Sequence, residues 1–181
     1  ADDPGEDEPI QAYRRQRREK ETRRRRTTRR IYRLQAGARL PRDRAPYIAN
    51  RPFRITATVE RTGTEGVIVA QGGIGSGFSL YLRNGTLHFA TRHKGPLAEI
   101  HSPQPMADTK TTVEAELTSA KELRLTVDGA TVAAGNAPGF IPVLPGDGLQ
   151  VGADEDHPVT DYEVPNRFEG KIHEVVVELG D

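Results

Sequence analysis

The feature that most constrains this chain is a period of two. Phe53, Ile55, Ala57 and Val59 alternate with Arg54, Thr56, Thr58 and Glu60. Side chains leave a strand alternately to its two faces, so the pattern predicts a strand with one dry and one wet face. From Ile31 to the end, short runs of Val, Ile, Leu, Thr and Phe are broken by Gly, Pro, Asn and Asp about every 8 to 12 residues. No helical period persists there, so the expectation for residues 31–181 is one all-β domain of packed antiparallel strands.

Two turns are the sharpest local signals. Asn84-Gly85 separates the runs 78–83 and 86–91, and Asp128-Gly129 separates 122–127 from 130–134. Both dipeptides accept φ > 0 at two successive positions, the backbone that matches strand twist, so each predicts a two-residue hairpin. Val113, Ala115 and Leu117 predict a further strand, paired with 122–127, and Leu149 and Val151 open a later one. The last strand is expected to close its sheet. Within it Ile172 shares one parity and Val175, Val177 and Leu179 the other, which predicts a β-bulge near His173-Glu174.

Residues 1–30 are of another kind. Residues 1–9 are acidic with two prolines and read as a disordered end; 11–30 is nearly all charged, with no large apolar residue between Arg14 and Arg30. A helix there has no face to bury and is supported only by i,i+4 pairs such as Glu19 with Arg23 and Glu21 with Arg25, against the repulsion within 23–26. The formal net charge of +0 hides this division: residues 1–45 hold 15 Arg and Lys against 8 Asp and Glu, and the rest hold 11 against 18. Deleting residues 1–30 is expected to leave the melting temperature of the body nearly unchanged.

Composition removes several chemistries. No cysteine means no disulfide, thiolate ligand or cysteine nucleophile, and no tryptophan means that a sugar ring must stack on Tyr or Phe. There is no apolar run of about eighteen residues, so no membrane span and no membrane partner are expected. The only methionine is Met106, so the chain reads as processed or as a part of something longer; Ala1-Asp2-Asp3-Pro4 suits a mature end after signal cleavage.

The stretch from Tyr32 through Asn50-Arg51-Pro52-Phe53-Arg54-Ile55-Thr56-Ala57, then 66–73 and Phe78-Ser79-Leu80-Tyr81-Leu82, resembles the C-terminal region of large bacterial arylsulfatases. So does the closing sequence, from Asp147-Gly148-Leu149-Gln150-Val151-Gly152 through His157-Pro158-Val159 and Tyr162 to Gly170-Lys171-Ile172-His173-Glu174-Val175. That region is similar to laminin-G and concanavalin-like jelly rolls. The resemblance covers residues 31–181 and implies a two-sheet antiparallel sandwich. It also implies an exported, periplasmic or extracellular, accessory module with a sulfatase catalytic domain as its partner in cis, joined through the arginine-rich segment. Sulfatases mature a Cys or Ser within Cys/Ser-x-Pro-x-Arg; this chain has no such motif, so it is expected to be no enzyme.

Candidate sites follow from residue chemistry. The loop 72–77, Gly-Gly-Ile-Gly-Ser-Gly, looks like a phosphate cradle, but a strand rather than a helix follows it, which favours a flexible inter-strand loop. Asp154, Asp156 and Asp161, with Glu155, Glu163 and His157 nearby, offer oxygens for calcium, although Pro158 stands where an EF-hand ligand falls; a solvated acidic loop is the alternative. Glu114 and Glu116 share a strand face as glycanase carboxylates do, but Ser119 occupies the place of a third acid, so a weak glycoside hydrolase is the least supported reading. The five histidines show no metal-ligand spacing. Arg92, His93 and Lys94, with the ring of Tyr162, are the residues expected to hold a sulfated polysaccharide if the module binds glycans. The arginines of 23–26, with Arg29 and Arg30, suit a sulfated polysaccharide or a docked domain; nucleic acid is not expected, because the body is acidic and no nucleic-acid motif is present.

Overall fold

A computed structural model describes residues 7–27 and 29–181. Helix α1 spans Asp7–Thr27, and twelve strands follow: β1 Ile31–Leu34, β2 Arg39–Leu40, β3 Phe53–Arg61, β4 Gly66–Gly72, β5 Ser76–Arg83, β6 Thr86–His93, β7 Leu97–His101, β8 Thr111–Leu117, β9 Glu122–Val127, β10 Ala130–Asn136, β11 Leu149–Val151 and β12 Gly170–Leu179. They form two six-stranded sheets, ordered β1-β12-β3-β8-β9-β10 and β2-β11-β4-β5-β6-β7. All strand pairs are antiparallel. This is the two-sheet sandwich the alternation predicts.

The core lies between the sheets. Phe53, Ile55, Ala57 and Val59 of β3 are buried and meet Phe78, Leu80 and Leu82 of β5 and Leu87 and Phe89 of β6. Phe53 stands 5.2 Å from Phe78 and 6.4 Å from Phe89, ring centroid to centroid, in tilted and edge-on geometries that aromatic quadrupoles favour.

Both two-residue turns form, with φ of 52° and 77° at Asn84 and Gly85 and 47° and 85° at Asp128 and Gly129. The register of β12 on β3 shifts between Ile172 and Glu174, which is the expected bulge, and it returns Ile172 and Val175 to the same buried face. β8 pairs β9 as predicted.

One expectation is corrected. The last strand does not close its sheet; β12 lies between β1 and β3, and β1 takes the edge because Tyr32 and Leu34 bury themselves there. The glycine-rich segment 72–77 is the expected inter-strand connection: residues 73–75 link β4 to β5, and Gly72, Ser76 and Gly77 are the strand ends. Its glycines serve close backbone approach: a Cβ on Gly77 would stand 2.1 Å from the Gln71 carbonyl oxygen.

Where its side chains are described, helix α1 buries no face. From Pro9 to Lys20 every residue but Ala12 is exposed, as its polar circumference requires. Among the described residues, Arg29 and Arg30 join the tail to the body. Arg29 lies over the Tyr32 ring at 4.4 Å, and the Arg30 carbonyl accepts the Leu179 amide at 2.8 Å. Of residues 1–9, expected to be a disordered end, 7–9 form the first turn of α1, and 1–6, like Thr28, lie outside the described residues.

Candidate ligand-binding cleft

The site lies on the outer face of the second sheet, and a bulge creates it. Register shifts between Val67 and Val69, so Ile68 and Val69 both face the main core while Val67 and Ala70 face outward. The segment from Gly152 to Phe168 returns across that outer face. Val159 is fully buried against Val67, Ala70, Tyr81 and Ala90, a second small core with Tyr162 packed beside it.

Tyr162 acts as a rivet in this arrangement. Its hydroxyl donates to Asp154 Oδ2 at 2.5 Å and sits 2.9 Å from the Ser79 hydroxyl, and its ring meets Tyr81 edge-on at 5.1 Å. Asp154 is only 5% exposed. Burial pushes its carboxyl up from 3.8 to about 6, the Tyr162 hydrogen bond opposes this, and the negative charges of Asp147 and Asp156 add to it. Burial and the neighbouring Asp154 push the Tyr162 hydroxyl up as well, so it remains a donor.

Beside the rivet the outer face opens into a cleft of about 360 Å³ between β2, β11 and the returning segment. Leu40 and Pro41 give one apolar wall, and Arg39, Asp147, Gln150 and Asp156 bring polar groups to it. Arg39 is held by Glu155 at 2.5 Å and lies 3.9 Å from Asp156, so the cation is already paired; Arg167 holds the far side of Glu155 at 2.9 Å. Asp147 faces His157 across 2.9 Å, and the Gln150 side-chain oxygen accepts the Glu155 amide at 2.9 Å. A Cβ on Gly148 would lie 1.9 Å from the Leu40 carbonyl oxygen, so the close seating of β2 beside β11 requires glycine.

Most residues expected to form a site are dispersed. Arg92 donates to the backbone oxygens of Val159 at 2.7 Å and Gly95 at 2.8 Å; it staples the returning segment. His93 is 8% exposed, turned inward to Thr91 at 2.7 Å and the Phe140 oxygen at 3.2 Å, and burial lowers its pKa. Lys94 alone of the three is exposed. The reason is strand alternation: consecutive residues at the end of β6 leave to opposite faces, so Arg92, His93 and Lys94 do not converge.

The carboxylates diverge as well. Asp154 is bound by Tyr162, Asp161 by Arg83 at 2.8 Å, and Asp156 lies 3.9 Å from Arg39. Among the described residues no three His, Cys, Asp or Glu are grouped to hold a metal ion. Glu114 and Glu116 lie on the far sheet, half-buried, with Glu116 3.8 Å from Arg54.

Sequence reasoning missed Arg39, Asp147 and Gln150, which only the pairing of β11 with β2 and β4 brings together. It also missed a row of rings, Tyr81, His88 and His101, stacked at 5.0 and 5.3 Å across β5, β6 and β7. The two-residue turn at Asn84-Gly85 sets Tyr81 opposite His88, so half of that row was readable from the turn alone.

The model of the laminin G domain family matches residues 59–179. The chain belongs to the laminin G domain family. Its sandwich superposes on the mouse laminin alpha1 chain, domains LG4-5, with a TM-score of 0.65 and 17% identity, over 81% of this chain and 40% of that one. The chain thus spans less than half of that laminin fragment. The CBM40 of the Ruminococcus gnavus IT-sialidase, bound to α2,3-sialyllactose, superposes with a TM-score of 0.60 and 16% identity, covering 83% of this chain and 89% of that one. A SAP-like pentraxin from Limulus polyphemus gives 0.53 and 14%, covering 82% and 76%. No characterised protein sequence matches the chain significantly. At these identities the likeness is one of fold. Laminin G domains are typically extracellular, and among the described residues no helix is long and apolar enough to cross a membrane. In this laminin G sandwich the cleft therefore sits on an outer sheet face, with its loop riveted down by Tyr162.

Proposed function

We propose that this laminin G domain is a non-catalytic carbohydrate-recognition module that serves a larger exported protein, and that its cleft takes a neutral sugar. The cleft carries the reading. It offers carboxylate and amide oxygens beside an apolar wall, the mixture that a polyol with one apolar face requires. An anionic sugar is disfavoured there, because Asp147 and Asp156 line the walls and Arg39 is already paired with Glu155. Catalysis is not part of the proposal: Asp154, the carboxyl with the raised pKa, is held by the Tyr162 hydroxyl.

The motif resemblance to the C-terminal region of bacterial arylsulfatases supports a parent protein of that type, with the sulfatase domain as partner in cis. The test of the binding reading is a glycan array probed with and without calcium. Saturable binding of neutral oligosaccharides, weakened about tenfold or more in Gln150→Ala and Asp147→Asn, is the expected result. Silence across the array, or binding untouched by both substitutions, overturns it.

A further inference from the structure

Outside the sandwich, the most concentrated charge in the described structure is on α1. From Gln11 to Lys20 it holds Arg14, Arg15, Arg17, Arg18 and Lys20 against the single carboxylate of Glu19. All five cations are exposed. Residues 14 and 18 are one turn apart on one face, and the side chains of Gln11, Arg14, Arg15 and Arg18 gather around a single notch floored by Ala12. Among the described residues, Arg14, Arg15 and Arg18 make no ion pair with the sandwich, although residues 46–181 carry more acids than bases. The sequence continues the run with four arginines at 23–26.

We propose that α1 is a binding surface for a linear polyanionic polysaccharide, sulfated or carboxylated, that lies along the helix and seats an anionic group among Arg14, Arg15 and Arg18. Guanidinium forks pair with sulfate and carboxylate oxygens through two parallel hydrogen bonds, and clustered cations release counterions when a polyanion binds. Single-stranded nucleic acid fits less well, because Tyr13, 64% exposed, is the one aromatic ring of the helix on which a base could stack. The notch is remote from the cleft in sequence and opposite in charge, so this inference does not depend on the neutral-sugar reading.

The experiment uses the full chain, three probes (a heparin oligosaccharide, an oligogalacturonate and a DNA duplex of equal charge) and a ligand-free control. Binding is titrated in low and physiological salt for the wild type, the triple variant Arg14→Ala/Arg15→Ala/Arg18→Ala, and the triple Lys variant. The expected result is that heparin, oligogalacturonate or both bind more tightly than the duplex. That binding weakens with salt, falls about tenfold or more in the Ala variant, and falls by less in the Lys variant, which keeps the charge but not the bidentate fork. Alanine favours the helix, so loss of binding does not reflect loss of α1. Three results with ligand overturn the proposal: neither polysaccharide binds; the duplex binds as well or better; or the Ala variant binds like the wild type, which moves the site onto the sandwich. Salt-sensitive self-association without ligand, abolished by the Ala variant and not displaced by either polysaccharide, overturns it in favour of contact with the acidic body of a second copy. Loss of heparin binding with array binding unchanged, or the reverse, separates the fates of helix and cleft.

Discussion

The cleft and helix α1 are two opposite ways of presenting charge. In the cleft the ionic groups are tied down: Arg39 to Glu155, Asp147 to His157, Asp154 to Tyr162. Their positions are fixed by two sheets and a buried tyrosine, so the cleft is suited to shape. On α1 the exposed Arg14, Arg15 and Arg18 make no ion pair with the sandwich among the described residues, so that face offers charge along a length rather than one molecular outline. A protein that is formally neutral at +0 thus holds two surfaces of contrary charge.

The first way to break this contrast is stability. Leu80, fully buried at the centre of β5, changed to Ala should lower the unfolding free energy by about 2 to 5 kcal/mol in a denaturant titration. Removing residues 1–28 should shift the melting temperature by little, because none of the described side chains of α1, from Pro9 to Lys20, joins the core; a drop of many degrees would place α1 in the cooperative unit. The cut must stop at residue 28, since Arg29 covers Tyr32 and the Arg30 carbonyl holds Leu179.

A smaller effect sharpens the cleft side. Gly148→Ala forces a methyl into the Leu40 carbonyl, should cost about 1 to 3 kcal/mol, and should weaken oligosaccharide binding by moving β2. Tyr162→Phe deprives Asp154 of its donor and should cost about 1 to 3 kcal/mol above pH 6.

The smallest effect is one of pH. Asp154 has a folded pKa of about 6 against 3.8, so the folded state holds a proton that the unfolded chain has released between those values. Its contribution to stability is therefore complete below about pH 4 and is lost as pH rises through about 6. Asp154→Asn should flatten that decline by up to one proton's worth of slope, and an unchanged slope would remove Asp154 as its source.

Sequence alone carried the sandwich far. Period two, the turns at Asn84-Gly85 and Asp128-Gly129, and the parity break at His173 are local signals that local physics obeys. The bulge between Val67 and Val69 escaped because its parity cost is absorbed by a second core, under Val159, that no local pattern announces. For the same reason Arg92 and Tyr162 looked like ligand contacts. A cation and a ring at a loop are chemically ready to bind, and only the returning segment reveals that both are engaged in holding it. The cleft residues come from β2 and β11, of two and three residues, too short to show a period.

Amide-resolved chemical-shift mapping of the full chain, titrated with the best neutral oligosaccharide from the array, tests the central claim most directly. The account predicts perturbations gathered at Arg39, Leu40, Gly72 and Asp147 to Gln150, with α1 and the outer face of the β3–β8 sheet unmoved. Perturbations centred on α1 or on the Tyr81-His88-His101 row, with those cleft amides silent, would contradict it.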